Sequence, residues 1–214
     1  MFGTMRVLMK ESHPEVSARL QHLMEDYHAC KIIVYADTGK AIAAATQLDE
    51  PVDLMIFGMH TDEVGDMKRL LAATGTPREV APLLVLSELH EPLYAPLCIA
   101  AGAKGFVPAG EPEDAWLAAV KAILLGGIYV SRGLARQPIM RQIATTGHLN
   151  VLNLLSYRER EIAEYLVKDT PIREISCQLN LTDDAVLTHQ ENILMKLHLT
   201  QLSDLKKLVD ISAD

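Results

Sequence analysis

The feature that most constrains this chain is an alternation running through its first 125 residues. Short apolar runs at Arg6–Met9, Lys31–Tyr35, Leu54–Phe57, Leu83–Leu86 and Gly105–Val107 are separated by stretches with helical spacing. Such runs read as strands buried on both faces, the pattern of a parallel sheet. The helical stretches are His13–Asp26, Gly39–Leu48, Asp66–Ala73, Glu91–Ala101 and Glu111–Leu125. In the last of these, Trp116, Ala119, Val120 and Ile123 recur on one face. Strands and helices in strict alternation predict an α/β doubly wound domain with a five-stranded parallel sheet over 1–125. In such sheets the functional crevice lies at the carboxyl ends of the strands.

After Leu125 the pattern changes. Gly126-Gly127 stops the helix, and 126–150 carries Arg132, Arg136 and Arg141 with no acid. This stretch reads as a linker holding one short, exposed helix. Residues 151–214 read as a small all-α domain of four helices. Ser156 and Glu159 form a capping box that starts a helix to about Lys168. Thr170-Pro171 starts a second, with proline at its first position. Thr182 caps a third from Asp183 to about Leu197, and Gln201–Ile211 makes a fourth. The second and third fit a helix-turn-helix.

Composition excludes several classes. The 214 residues carry 20 Lys+Arg against 28 Asp+Glu, a net charge of −8, which argues against an indiscriminate, charge-driven nucleic-acid binder. No apolar run reaches the roughly 18 residues of a membrane span. Met1–Lys10 lacks the long apolar stretch and small-residue cleavage site of a secretory signal. Cys30, Cys98 and Cys177 are odd in number and scattered, as free thiols in a reducing cytoplasm would be. His22, His28 and Cys30 lie close in sequence but have no known ligand spacing, so no metal site and no cofactor are expected. There is no phosphate-binding glycine loop and no nucleophilic-triad signature, so the chain does not read as an enzyme. Its nine methionines read as core filling.

Both halves resemble response regulators of the NarL/FixJ (LuxR-type) family. The C-terminal resemblance rests on Leu155-Ser156-Tyr157-Arg158-Glu159-Arg160-Glu161, Arg173-Glu174-Ile175 and Asn192-Ile193-Leu194-Met195-Lys196-Leu197. The N-terminal one rests on Met5-Arg6-Val7-Leu8, His13-Pro14, Val52-Asp53-Leu54 and Ala101-Gly102-Ala103-Lys104-Gly105. It implies a flavodoxin-like receiver followed by a LuxR-type helix-turn-helix, in a two-component system that regulates transcription. A working receiver needs a carboxylate nucleophile after the third strand and two acids after the first to hold Mg²⁺. It also needs a lysine after the fifth strand and a Ser/Thr after the fourth. Here the nucleophile position is Gly58, the acid pair is Glu11-Ser12, the lysine position is Ala109, and only Ser87 is retained. Phosphotransfer is therefore not expected of this pseudo-receiver. Asp62, Glu63, Asp66 and Glu88 read either as solvated loop charge or as ligands that join Glu11 around a cation or small molecule. Phe106 reads either as core or as the aromatic that changes rotamer in related receivers.

The resemblance further implies that the third helix enters a DNA major groove, with Leu187, Thr188 and Glu191 at the base-facing positions. Arg158, Arg173, Asn192 and Lys196 complete the expected DNA-binding set, the arginines reading equally as partners of Glu159, Glu161 and Glu164. Residues 151–214 hold seven basic and eleven acidic residues, which weakens the phosphate attraction underlying most DNA affinity. Homodimerisation is expected through Leu202, Leu205, Leu208 and Val209, with Leu20, Leu23, Trp116 and Ile123 as a second surface. Control falls to a partner protein, a small ligand in the receiver-like pocket, or concentration. The alternative is an interaction protein that pairs with another regulator without binding DNA.

Overall fold

A computed structural model describes residues 4–45, 51–61, 63–73, 81–146 and 151–212. The chain forms two compact units, Met1–Arg132 and Gly133–Asp214.

The first unit is the expected doubly wound α/β domain. Strands β1 (Met5–Lys10), β2 (Cys30–Tyr35), β3 (Leu54–Met59), β4 (Leu83–Ser87) and β5 (Gly105–Pro108) alternate with helices α1 (Pro14–Tyr27), α2 (Thr38–Ala45), α3 (Val64–Ala73), α4 (Glu91–Ala100) and α5 (Glu113–Leu124). The sheet is parallel, in the order β2-β1-β3-β4-β5. Successive strand residues point to opposite faces. Val7, Met9, Leu54, Ile56, Leu84, Leu86 and Val107 pack with Leu20, Met24, Trp116 and Ile123 of α1 and α5. The alternate set, Leu8, Met55, Phe57, Leu83, Val85 and Phe106, is equally buried and belongs to the side covered by α2, α3 and α4. Burial on both faces explains why β3 and β4 are continuous apolar runs, whereas the edge strand β2 is only half-buried and carries the exposed Lys31. Met9, Met24, Met55, Met59 and Met67 are fully buried, as the core-filling reading requires.

The linker reading of 126–150 needs correction. Gly126, with φ of +83°, ends α5 in the left-handed conformation open to glycine. Tyr129 then pairs with the sheet edge, its N–H donating to Lys104 O at 2.9 Å and its carbonyl accepting from Phe106 N at 2.9 Å. Residues 126–132 thus cover the β5 edge, which would otherwise expose unpaired backbone groups. From there α6 (Arg132–Ala135) and α7 (Pro138–Thr146) follow. Leu134, Ile139, Met140 and Ile143 are buried, so these helices are packed elements and not exposed linker.

The second unit continues with a 3-10 turn at Val151–Leu154, then α8 (Tyr157–Leu166), α9 (Ile172–Leu179), α10 (Asp183–Lys196) and α11 (Leu202–Ser212). Pro171 is the N-cap of α9, one position earlier than expected. Asn180 ends α9 with φ of +52°, and Leu181 N donates to Ser176 O at 2.9 Å. This tight turn delivers the chain to the Thr182 cap of α10, whose hydroxyl accepts from Ala185 N at 3.1 Å. Among the described residues no helix is long and apolar enough to cross a membrane, and the three cysteines form no disulfide.

Both expected dimer stripes are largely core. Leu205 and Leu208 are fully buried inside their unit, leaving Leu202 and Val209 only partly exposed. In the receiver-like unit Leu20, Trp116 and Ile123 are buried and Leu23 is only partly so. A helix stripe that faces its own core is not available to a partner. Leu205→Ala is accordingly expected to cost about 2–5 kcal/mol of folding stability. Urea denaturation of the full chain will show this, independent of protein concentration.

Candidate functional site

Two places gather the chemistry-bearing residues: the carboxyl edge of the sheet in the first unit, and the helix-turn-helix in the second.

At the sheet edge, β1 and β3 are neighbours with Lys10 opposite Phe57. One step further along each strand come Glu11 and Gly58. Glu11 is 3% exposed. A Cβ placed on Gly58 would lie 2.0 Å from Glu11 Oε2 and 2.6 Å from its Cδ. The carboxylate therefore fills the space that a side chain at position 58 would take. Lys10, unremarked in the sequence, is buried too. Its ammonium donates to Gly58 O at 2.7 Å, pairs with Glu63 at 3.0 Å, and lies 4.7 Å from the centre of the Phe57 ring. Ser87 is fully buried, donating to Met59 O at 2.6 Å and accepting from Leu89 N at 3.1 Å. Ala109 caps the next connection, its N–H donating to Ser87 O at 2.8 Å.

The pocket read from the sequence as emptied of function is thus occupied by the chain's own charges. Glu63 is engaged by Lys10, and Asp66 pairs with Arg69 on the surface of α3 at 2.9 Å. Glu88 is exposed, and Asp62 lies outside the described residues. Phe106 is fully buried, as a core aromatic. Ser12 is exposed and next to Glu11. Glu11 Oε1 instead accepts from His13 N at 2.7 Å and meets His60 Nε2 at 2.7 Å. Glu11, His13 and His60 can each offer one ligand atom, all within 4.8 Å of one another. Sequence reading missed His60 and the chemistry of His13. The available signal was a histidine directly after an apolar strand, at the edge where such sheets bind ligands. By contrast His22 is exposed and pairs with Asp26 at 3.6 Å, and it does not join His28 and Cys30 in a cluster.

In the second unit the capping box forms as expected. Ser156 N donates to Glu159 Oε2 at 2.8 Å, and Glu159 N donates to the Ser156 hydroxyl. Glu159 does more than cap α8. Both its oxygens accept from Lys196 Nζ at 2.7 Å, tying the start of α8 to the end of α10. Burial by itself raises the Glu159 carboxyl. The hydrogen bond from Lys196, those from Ser156 and the ammonium charge outweigh it and bring the pKa from 4.5 down to about 2. Asp183 accepts from the Ser176 hydroxyl, joining α9 to the first turn of α10.

The expected DNA-facing residues divide into two groups. Leu187 is 42% exposed, and Thr188, Glu191 and Arg173 are exposed, with Asn192 partly so. Thr188 turns its hydroxyl back to Asp184 O at 2.9 Å. Met195, one further turn along the stripe of Leu187 and Glu191, is 71% exposed. The other two are engaged. Arg158 donates to Glu161 at 3.0 Å and to Leu179 O at 3.2 Å, and Lys196 is held by Glu159. The ion-pair reading therefore holds for Arg158 with Glu161.

Residues 153–209 match the model for bacterial regulatory proteins of the luxR family. This segment is a luxR-family domain, and the chain as a whole is similar to response regulators. Fimbriae Z protein of Escherichia coli K12 is 28% identical over 211 residues, covering 96% of this chain and 97% of that one. Response regulator UvrY of Escherichia coli K12 is 24% identical over 193 residues, covering 90% and 88%. RcsB from Salmonella enterica serovar Typhimurium, solved bound to the promoter rprA, shares the fold with a TM-score of 0.67 at 18% identity, over 97% of this chain and 99% of that one. The C-terminal unit thus holds a LuxR-type domain, as its motifs implied, and the whole chain shares its length and fold with response regulators.

Two outcomes follow from these contacts. Gly58→Ala is expected to destabilise the chain by about 1–3 kcal/mol through overpacking, and by clearly less in a Glu11→Ala background, in a double-mutant cycle of urea midpoints. Glu159 binds its proton less readily when folded, so its contribution is complete above pH 4.5 and is lost as pH falls towards about 2. Glu159→Gln should flatten that part of the stability profile and cost about 1–3 kcal/mol at neutral pH.

Proposed function

We propose that this chain regulates transcription by binding DNA through α9 and α10, under a control that does not use aspartyl phosphate. The observation that carries the reading is the helix-turn-helix with its connecting turn and caps intact, inside a segment that matches the luxR family. Leu187, Thr188, Glu191 and Asn192 form the groove-facing surface in this reading, and Arg173, with Arg158 and Lys196 at the margins, faces the phosphates. The reading of phosphorylation independence is supported by Gly58, which has no side chain to phosphorylate, and by Glu11 and Lys10, which occupy the space around it. Control then rests on a protein partner, a small ligand or self-association, for which Leu202 and Val209 retain exposed surface.

A second reading is an interaction protein that pairs with another regulator. The observation favouring it is the α10 surface itself, where Leu187, Glu191 and Met195 offer two apolar side chains and an acid. No Arg or Lys stands there to make a bidentate guanine contact, worth about 1–3 kcal/mol of discrimination.

One experiment separates them. The full chain is titrated with genomic fragments at two salt concentrations, with and without an acyl-phosphate donor and Mg²⁺. The proposal expects saturable binding at low salt, unchanged by the donor, and no added phosphoryl mass on the intact chain. Leu187→Lys with Glu191→Lys should then raise general affinity and steepen the salt dependence by about one to two units. Tight wild-type binding abolished by the lysines would mean those residues read sequence. No binding at low salt would favour the interaction reading, and a donor-dependent adduct would overturn phosphorylation independence.

A further inference from the structure

We propose that Glu11, His13 and His60 form a binding site for a divalent transition-metal ion, with zinc the best fit. The proposal does not rest on DNA binding and stands or falls separately from it.

Three observations carry it. The first is convergence: Glu11 and His60 directly follow β1 and β3, adjacent strands of a parallel sheet, His13 stands at the start of α1, and their ligand atoms lie within 4.8 Å of one another. The imidazoles of His13 and His60 are 3.8 Å apart between ring centres, and His60 Nε2 is 2.7 Å from Glu11 Oε1. The second is availability. His13 occupies the N-cap of α1, yet its side chain makes no capping hydrogen bond. The third is an unmet need. Glu11 Oε2 and His60 Nδ1 are buried without a hydrogen-bond partner, and Glu11 is among the most buried charged residues of the chain. A carboxylate buried this deeply with an oxygen unsatisfied is short of compensating positive charge, which a cation bound at its other oxygen supplies.

The donor set selects the ion. Two imidazole nitrogens and one carboxylate suit zinc and its neighbours, whereas Mg²⁺ requires oxygen ligands in octahedral geometry. The site therefore differs in kind from the paired-acid Mg²⁺ site of phosphotransfer, which this sequence has half lost. Three protein ligands are the number found where zinc keeps one position open, and exposed His13 gives the ion a route in. Zinc bonds of about 2.0–2.1 Å set tetrahedral ligand atoms roughly 3.4 Å apart. The 2.7 Å Glu11–His60 contact must therefore open by about 0.7 Å on loading, a change within reach of side-chain rotation.

The test uses the untagged full chain after treatment with a chelator. Zinc chloride is titrated by calorimetry, and cobalt(II) by visible absorption. The expected result is one zinc per chain, undisplaced by equimolar Mg²⁺, and a visible cobalt band characteristic of low coordination number. His13→Ala and His60→Ala should each weaken zinc binding by about tenfold or more, while His22→Ala leaves it unchanged. Because His13 is exposed, His13→Ala keeps the fold. Zinc should raise the melting temperature of the wild type and of His22→Ala but not of His13→Ala. The proposal is overturned by no stoichiometric binding, by equal affinity in wild type and His13→Ala, or by Mg²⁺ displacing zinc at equal concentration.

Discussion

Two parallel strands at the centre of the sheet end side by side, and β3 carries a glycine where β1 ends in a buried carboxylate. The register of β1 and β3 brings position 58 against Glu11, and a Cβ at that position would overlap the carboxylate. Much of the crevice follows from that single steric conflict. With the carboxylate turned into the space over Gly58, the neighbouring ammonium of Lys10 reaches the Gly58 carbonyl and Glu63. The other Glu11 oxygen is left to gather the His13 amide and the His60 ring. What would be an open phosphotransfer pocket in a receiver is here a packed network of the chain's own charges.

The same economy appears in the helix-turn-helix unit, where acids that look hostile to DNA serve the fold. Glu159 caps α8 and binds Lys196 across from α10, and Asp183 holds the Ser176 hydroxyl at the α9–α10 turn. Asp183 and Asp184 also sit in the first turn of α10, where negative charge favours the helix dipole. The net negative charge of this unit therefore overstates the acidity facing outward. The same pairs take up basic charge as well, because Lys196 and Arg158 are both engaged within the unit. Beyond its acidic first turn, the exposed stripe of α10 presents Leu187, Thr188, Glu191 and Met195, with a single charge among them.

Local signals were legible because their physics is local. Continuous apolar runs mark strands buried on two faces, and the Ser156–Glu159 and Thr182 caps need only a few residues of sequence to form. The apolar stripes of α1, α5 and α11 were legible as stripes but not as surfaces. Nothing in a three-and-four spacing says whether Leu205 or Trp116 meets its own core or a partner, and both meet the core. Residues 126–150 misled for a related reason. Their lack of acids suggests a solvated linker, but Tyr129 pairs through its backbone with the edge of β5 and packs against the core, and backbone pairing leaves little trace in composition.

The order of strands and helices, the caps and turn of the helix-turn-helix, and the absence of a side chain at position 58 are written in the sequence. Each of these depends on residue type or on neighbours within a turn or two. Tertiary structure alone decided that Glu11 packs against Gly58, that Lys10 is buried, that Glu159 holds Lys196, and that His60 meets His13. Those pairs are separated by 37 to 53 residues along the chain and become neighbours only when parallel strands take their register and helices pack end to end.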